Sequence, residues 1–240
     1  MKLIINADDF GLSESISDGI ITGIKDGYIT STSIMANMPC AFYAVKKACE
    51  NGINCIGLHV NLTVGKPVIN NVNLVDDNGV FYYNRTQIEN KKLTYKDAYE
   101  EIMAQIEMVA KYSNGKLSID HLDTHHHLFD NPYIKRAIVD ISRSINIPIR
   151  KDDTDDIKTP DILYKDFTIK NVSVDNIKIM IKKYKEQDVV VELMTHPGFI
   201  DEYTKTVTSY LDREKELNVL KECMENGVFE GIELVNFQQF

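Results

Sequence analysis

Residues 3–9 of the chain read LIINADD, and this stretch decides how the rest of the sequence is interpreted. A short apolar run ends in two acids, as a buried parallel strand ends at the edge of its sheet. A helix is predicted next, because Ile16, Ile20 and Ile24 fall on one face and Gly27 suits its C-terminal cap. The first unit is therefore a strand followed by a helix.

The same order of elements repeats along the chain. Further strands are predicted at residues 30–35, 53–62, 118–124, 147–150, 189–194 and 231–235. Helices are predicted at residues 44–49, from 94 to about 109, at 133–145, near 177–184 and from about 207 to 225. Repeated strand–helix units predict an α/β fold with a parallel sheet and right-handed crossovers. About seven such units favour a closed or distorted (βα) barrel, with an open sheet as the alternative that periodicity leaves open.

The composition predicts one globular domain over residues 1–240. Hydrophobic residues make up 43% of the chain and charged residues 26%, which is ordinary for a folded domain of this length. Two segments break the strand–helix pattern: residues 70–92, with a hairpin-like turn at 77–79, and residues 152–188, which are rich in Lys and Asp. Both are interpreted as excursions from the core and not as separate domains.

Charge and hydropathy exclude several classes of partner. The formal net charge of −9 disfavours nucleic acid and anionic membranes as partners. No apolar run approaches the roughly 18 residues needed to cross a bilayer, and the first residues turn polar too early for a secretory signal. The four cysteines show no C-x-x-C pairing and are expected to be reduced. We therefore expect a cytoplasmic enzyme with a neutral or small substrate.

The histidines are grouped in a way that predicts an active site. All six lie in three places: His59, then His121 with the run 125–127, then His196. Each place is at or just beyond the end of a predicted strand, where parallel α/β folds carry their active sites. A single histidine there would more often be a structural residue, but this grouping favours a functional site.

Asp8 and Asp9 follow the first strand directly. Because side chains alternate on a strand, the two carboxylates should point differently, one binding a metal and the other facing a reacting water. The alternative is a helix N-cap, since Asp is favoured there. The pair lies several residues before the helix near Ser13, so the functional interpretation is preferred.

The run HLDTHHH at residues 121–127 is the densest motif. If the strand continues through it, His121, Asp123, His125 and His127 share one face. A neutral imidazole is the commonest metal ligand in proteins, and Asp123 could orient such a ligand by accepting its second N–H. The chain contains no glycine-rich phosphate loop and no G-x-S-x-G elbow, which disfavours nucleotide cofactors and serine hydrolase chemistry.

Together these motifs resemble a known family. The segments NADDFG at 6–11, GLHVNLT at 57–63 followed by GKP at 65–67, HLDTHHH at 121–127 and THPG at 195–198 resemble the signatures of the YdjC/ChbG carbohydrate (chitooligosaccharide) deacetylases. Their order and spacing match over nearly the whole chain. The resemblance implies a distorted (βα) barrel like that of the polysaccharide deacetylases, and a homodimer.

The resemblance also implies the metal site. Its ligands would be Asp9, His59 and His125, and the metal is usually assigned as magnesium in this family. Magnesium prefers oxygen ligands, whereas two imidazoles suit zinc or another transition metal. The identity of the ion therefore stays open at this point.

Two further residues receive catalytic roles by similarity to the wider polysaccharide deacetylases. Asp8 would be the general base, and His196 the general acid that protonates the departing sugar nitrogen. Arg150, at a predicted strand end, would orient Asp8, while His121, His126 and His127 receive no role. The implied reaction is metal-dependent removal of acetyl groups from N-acetylated sugars or oligosaccharides, with release of acetate.

Two other functions remain open from the sequence. One is another barrel metallohydrolase, such as a phosphoesterase, which would add ligands for a second metal and a basic phosphate clamp; His126 and His127 leave the second metal possible, but the strand ends show few basic residues beyond Arg150. The other is a sugar-binding module without catalysis, which would need neither the aspartate pair nor a metal.

Overall fold

A curled parallel sheet forms the centre of the fold. The computed structural model describes residues 1–151 and 156–240. The strands in these ranges are β1 (Lys2–Phe10), β2 (Ser31–Ile34), β3 (Ile56–Val60), β4 (Leu122–Thr124), β5 (Ile162–Tyr164), β6 (Val190–Thr195) and β7 (Glu233–Leu234). Every pairing between these strands is parallel. The predicted α/β class with about seven parallel strands is therefore confirmed.

Helices connect the strands and cover the outer face of the sheet. They are α1 (Glu14–Lys25), α2 (Ala41–Glu50), α3 (Arg85–Ile88), α4 (Tyr95–Tyr112), α5 (Pro132–Ile145), α6 (Val174–Tyr184), α7 (Thr204–Val207) and α8 (Arg213–Glu225), with 3₁₀ segments at His125–Asp130 and Ile169–Asn171. None of the helices in the described ranges combines the length and apolar character of a membrane span.

The strand order places the first strand in the middle of the sheet. The order is β4-β3-β2-β1-β6-β5, and β7 pairs with the first residues of β1. Beyond β4, one parallel bridge joins Leu122 to Ile149. The next residue, Arg150, reaches Glu192 of β6 with its side chain, so the two halves of the sheet curl towards each other. The result is the distorted half-barrel that the resemblance implies.

The two faces of β1 have different environments, as expected for a strand with period two. Leu3 and Ile5 are fully buried in the main core between sheet and helices. Ile4, on the other face, packs in a separate cluster with Val235 and Phe237 of the C-terminal segment. This segment covers the end of the half-barrel opposite to the carboxyl ends of the strands, so the inner face opens at the carboxyl end.

Local signals in the sequence predicted several element ends correctly. Thr94 and Asp97 form a capping box at the start of α4, where the helix was predicted to begin. Gly27 follows the end of α1 with a φ of +82°, as its predicted role requires. An antiparallel bridge between Val75 and Phe81 closes the predicted hairpin-like turn.

The strands predicted at 53–62 and 118–124 are shorter, and three further predictions differ more clearly from the structure. The strand predicted at 147–150 is reduced to the single bridge at Ile149. The helix predicted from about 207 starts at Arg213, because a short helix and a turn precede it. The segment 152–188, predicted as an excursion with a helix near 177–184, contains that helix as α6 but also contributes β5, which pairs with β6 in the sheet. Its first four residues lie outside the described residues.

Gly57 of β3 provides a stability test of the inner face. A Cβ at this position would lie 2.3 Å from atoms of the His121 ring, which covers the glycine. We expect Gly57→Ala to lower the free energy of unfolding by about 1–3 kcal/mol, because this is an overpacking substitution in a buried layer. The measurement is denaturant unfolding. The same substitution in a His121→Ala background should cost much less, and equal costs in the two backgrounds would contradict the steric explanation.

Candidate active site

A cavity of about 440 Å³ opens at the carboxyl ends of the strands, where the sequence predicted the site. All five residues that were assigned a catalytic or metal-binding role line it: Asp8, Asp9, His59, His125 and His196. They come from the ends of β1, β3 and β6 and from the turn after β4. The fold therefore brings together residues that are up to 188 positions apart in the chain.

A backbone irregularity turns Asp8 and Asp9 towards the same cavity. The register of β1 against β2 shifts between Ala7 and Phe10, as at a β-bulge. Within this bulge Asp9 has a φ of +70°, in the left-handed region that residues with a Cβ rarely adopt. The simple alternation assumed from the sequence is therefore broken. Strain of this kind persists where surrounding contacts hold it and is frequent at functional sites.

Asp9, His59 and His125 form a candidate metal centre. Asp9 Oδ1 lies 3.4 Å from His59 Nε2 and 3.1 Å from His125 Nδ1. The two imidazole nitrogens are 3.3 Å apart. Ligand atoms that share one ion at about 2.1 Å are spaced in this way. Asp9 Oδ1 is also buried without a well-aligned hydrogen bond, as expected of an oxygen that would bind a cation.

The tautomer of His59 fits the role of ligand. Its Nδ1 lies 2.8 Å from Asp123 Oδ1, so Nδ1–H donates to the carboxylate and Nε2 faces the other two ligands. Burial lowers the pKa of His59, but the negative charges of Asp123 and Asp8 outweigh it and raise the pKa to about 10. The surrounding carboxylates therefore favour positive charge at this position.

Arg150 binds both carboxylate oxygens of Asp8. Its Nη1 and Nη2 donate to the two oxygens of Asp8 at 2.8 Å and 2.6 Å, which is the contact predicted from the sequence. Nη2 also lies 2.9 Å from Asp123, and Nε donates to Glu192 at 2.7 Å. Asp8, His59 and Asp123 also cluster closely enough to bind an ion. The guanidinium already neutralises that cluster, so the set with Asp9 is the better metal site.

Arg213 contributes to the site although the sequence did not indicate it. It is 1% exposed, and its Nη2 donates to Asp9 Oδ2 at 2.6 Å. Burial raises the pKa of Asp9, but the charge of Arg213 outweighs it and keeps the pKa well below its usual range. Only Oδ1 of Asp9 is left free for an ion. Arg213 was missed because the helix was expected to start near residue 207, which would place Arg213 in the helix interior.

His196 lies near Asp8 in the cavity. Its Nε2 is 3.9 Å from Asp8 Oδ2, and its backbone N–H donates to Glu216 at 2.5 Å. Gly198 fixes the turn that follows, since a Cβ there would lie 2.9 Å from the backbone of Ile16 in α1. Burial is the main cause that lowers the pKa of His196 to about 4, so the ring is neutral at pH 7.

The other histidines divide between two places. His126 and His127 line the cavity, in a turn where both have positive φ, so they do not continue the strand as the period-two interpretation assumed. His121 lies at the other end of β4, paired with Asp120 at 2.7 Å and stacked on Phe237. It was predicted to share a face with His125, but the strand ends before His125, and His121 does not line the cavity.

The contact of Asp123 with His59 leads to a prediction. We expect Asp123→Asn to lower the affinity for a divalent cation about 10- to 100-fold, because the amide cannot fix the His59 tautomer as a carboxylate does. Calorimetric titration with Zn²⁺ and Mg²⁺ measures this. Asp120→Asn is the matched control, since it changes the equivalent buried pair with His121 outside the cavity. Equal losses in both variants would contradict a specific role of Asp123.

Comparison with known proteins agrees with this geometry. Residues 2–223 match the YdjC-like protein family. The chain belongs to the YdjC-like family. The resemblance seen in the sequence motifs is thereby confirmed.

Several known proteins resemble the chain along its length. A carbohydrate deacetylase of Listeria monocytogenes is 38% identical over 228 residues, covering 92% of this chain and 91% of the relative. A solved structure described as a putative cellobiose-phosphate cleavage protein of Enterococcus faecalis has a TM-score of 0.89 and 29% identity, covering 99% and 97% of the two chains. The peptidoglycan deacetylase PdaC of Bacillus subtilis has a TM-score of 0.53 at 13% identity, covering 99% and 88%, and shares the fold.

Proposed function

We propose that this protein is a metal-dependent carbohydrate deacetylase that removes acetyl groups from N-acetylated sugars or oligosaccharides. The observation that carries the proposal is the convergence of Asp9, His59 and His125, with Asp8 and His196 beside them in one cavity. The 38% identity to a protein named carbohydrate deacetylase supports the choice of reaction.

The residues that would hold a divalent ion are Asp9, His59 and His125. When bound there, such an ion would lower the pKa of a water molecule and polarise the acetyl carbonyl. One carboxylate and two imidazoles suit zinc or another transition metal, whereas the family resemblance implies magnesium. We propose that the affinity of these three ligands decides which ion is bound. Titration with Zn²⁺ and with Mg²⁺ would measure the two affinities.

Asp8 would be the general base. Its oxygens are fixed by Arg150 and Asn6, so the carboxylate cannot rotate away from the cavity. An amide carbonyl is a poor electrophile, and the attacking water must lose its proton as it attacks. A carboxylate in a fixed orientation next to the metal ligands can take that proton.

His196 would be the general acid. The leaving sugar nitrogen must be protonated before the C–N bond breaks, because an amine anion is a very poor leaving group. His196 is neutral in the free site, so it must first gain a proton. Its Nε2 lies 3.9 Å from Asp8 Oδ2, longer than a hydrogen bond, and we propose that this contact tightens in the substrate complex, where Asp8 would pass on the proton taken from water. His196 would then donate this proton to the nitrogen.

The test is a comparison of acetate and phosphate release from a panel of N-acetylated sugars and sugar phosphates. We expect acetate release that stops after treatment with a chelator and returns when Zn²⁺ or Mg²⁺ is added. Release of phosphate without acetate would favour the phosphoesterase alternative. Sugar binding without any turnover, unchanged in Asp8→Asn and Asp9→Asn variants, would favour a binding module.

We further propose a homodimer, as the resemblance implies, and a cytoplasmic location, as expected from the sequence. The formal net charge of −9 is in keeping with a protein that avoids nucleic acid and anionic lipid. Sedimentation of the purified protein would test the dimer, with a species of 27.4 kDa as the contradicting result.

A further inference from the structure

The imidazole ring of His196 is held in a different way from that of His59. A carboxylate orients His59, since its Nδ1 lies 2.8 Å from Asp123 Oδ1. Nδ1 of His196 is buried and has no hydrogen-bond partner among residues 1–151 and 156–240. Its Nε2 is 3.9 Å from Asp8, which is beyond hydrogen-bonding distance. The position of the His196 ring therefore depends on its backbone and on the side chains packed against it.

The first turn of α8 binds both backbone polar groups of His196. The backbone N–H donates to Glu216 Oε2 at 2.5 Å, and Arg213 Nη1 donates to the backbone carbonyl at 3.3 Å. Glu216 and Arg213 are three positions apart on the helix, so they lie on the same side of it. Arg213 also donates to Asp9 with Nη2. One helical turn thus fixes the proposed acid relative to a proposed metal ligand.

Glu216 also contacts the residue that packs against the His196 ring. Glu216 is fully buried, and its second carboxyl oxygen accepts a hydrogen bond from the hydroxyl of Tyr210. The Tyr210 ring lines the cavity and meets the His196 ring edge-on, with centroids 5.5 Å apart. Burial is the main cause that raises the pKa of Glu216 to about 8, so its side chain is mostly neutral at pH 7. Both oxygens of this carboxyl therefore bind groups that determine where the His196 ring lies.

We propose that Glu216 is the positioning residue of the general acid, and that it holds the His196 ring in place through the His196 backbone and through Tyr210. This inference rests on the proposed deacetylase function. A general acid must lie within hydrogen-bonding reach of the atom that it protonates, and a misplacement of about 1 Å can lower a rate about 100-fold. Glu216 is not among the residues that line the cavity, so it would act through other residues and not on the substrate.

A change of leaving group tests this role. Glu216→Ala should lower kcat for N,N′-diacetylchitobiose about 10- to 100-fold and leave KM within about twofold of the parent, because the acid is displaced from the departing nitrogen. Hydrolysis of 4-nitrophenyl acetate should stay within about threefold of the parent, because nitrophenolate leaves without a proton. Glu216→Gln should restore most of the amide activity, since its carbonyl can accept the His196 N–H and its amino group can donate to Tyr210.

Two further variants control this comparison. Glu101 is another fully buried glutamate, and it accepts the backbone N–H groups of Val68 and Ile69 outside the cavity. Glu101→Ala should lower stability in thermal unfolding without changing the ratio of amide kcat to ester kcat. Tyr210→Phe removes only a hydroxyl, so it tests the same network if Glu216→Ala does not fold. It should lower the ratio in the same direction by a smaller factor.

Two kinetic outcomes would overturn the inference. One is an unchanged amide kcat in Glu216→Ala, and the other is an equal loss on amide and ester in a folded variant. If the parent cleaves neither substrate, the proposed function fails, and the ¹³C–¹H NMR signal of the His196 ring still tests the positioning. This signal, assigned by its loss in His196→Gln, should shift and broaden in Glu216→Ala while that of His121 stays the same. An unchanged His196 signal would overturn the inference, and the same signal decides if the parent cleaves only one substrate.

Discussion

Asp8→Asn is expected to reduce kcat for deacetylation by about 10²- to 10⁴-fold, the range over which a positioned general base contributes to catalysis. The amide has nearly the size of the carboxylate but cannot accept the proton of the attacking water. Asp8 is not among the three proposed ligands, so the affinity for a divalent cation should stay within a few-fold of the parent. Steady-state acetate release and calorimetric titration with Zn²⁺ measure the two effects.

The control for this variant is Asp18→Asn. Asp18 lies on α1, outside the cavity. Its two carboxylate oxygens accept hydrogen bonds from the hydroxyl of Tyr43 at 2.9 Å and 3.0 Å. Asp8→Asn also leaves Arg150 with a weaker partner, so thermal unfolding must show that the variant is folded at the assay temperature. A folded Asp8→Asn variant with kcat within about threefold of the parent would contradict the assignment of Asp8 as base, which requires a loss of 10²-fold or more.

Asp9→Asn should have its largest effect on metal binding. Removing an outer-shell partner of a ligand already costs about 10- to 100-fold in affinity, so loss of a charged ligand should cost at least about 100-fold. Turnover should fall with it and recover in part at high metal concentration. The affinity for Zn²⁺ is measured by titration, and kcat is measured as a function of metal concentration.

A second buried carboxylate provides the control for Asp9→Asn. Asp97 belongs to the capping box of α4, lies outside the cavity and is 9% exposed. Its carboxylate accepts hydrogen bonds from Asn71 and Asn73. Asp97→Asn should change stability without changing metal affinity. If Asp9→Asn binds the ion as tightly as the parent, Asp9 is not a ligand and the proposed centre is wrong.

Several parts of the fold were predictable because their signals are local. The apolar run before Asp8 and the stripe at Ile16, Ile20 and Ile24 each reflect the period of one element, which short windows of sequence contain. The capping box of Thr94 and Asp97 involves residues only three positions apart. Such interactions do not depend on the rest of the chain, so reading them needs no knowledge of tertiary packing.

The errors occurred where pairing with distant residues decides the structure. β5 is a three-residue strand in a segment of mostly polar composition, and it exists because β6 offers a free edge. The run at 121–127 was interpreted as one strand, yet it pairs with β3 only as far as Thr124 and then turns at His126. Period-two alternation holds only while a partner strand continues.

The sequence by itself determined that acids and histidines would stand at strand ends, because both the strand periodicity and the residue types are written in it. It also supplied the motifs that indicate the family. The resemblance already implied different roles for Asp8 and Asp9 and a contact of Arg150 with Asp8, but only the tertiary structure decided how the two carboxylates are positioned. The bulge in β1 turns both into one cavity, Arg150 binds Asp8, and Arg213 binds Asp9, from 142 and 204 positions away. Contacts at such separations depend on how the whole chain packs, and no local pattern encodes them.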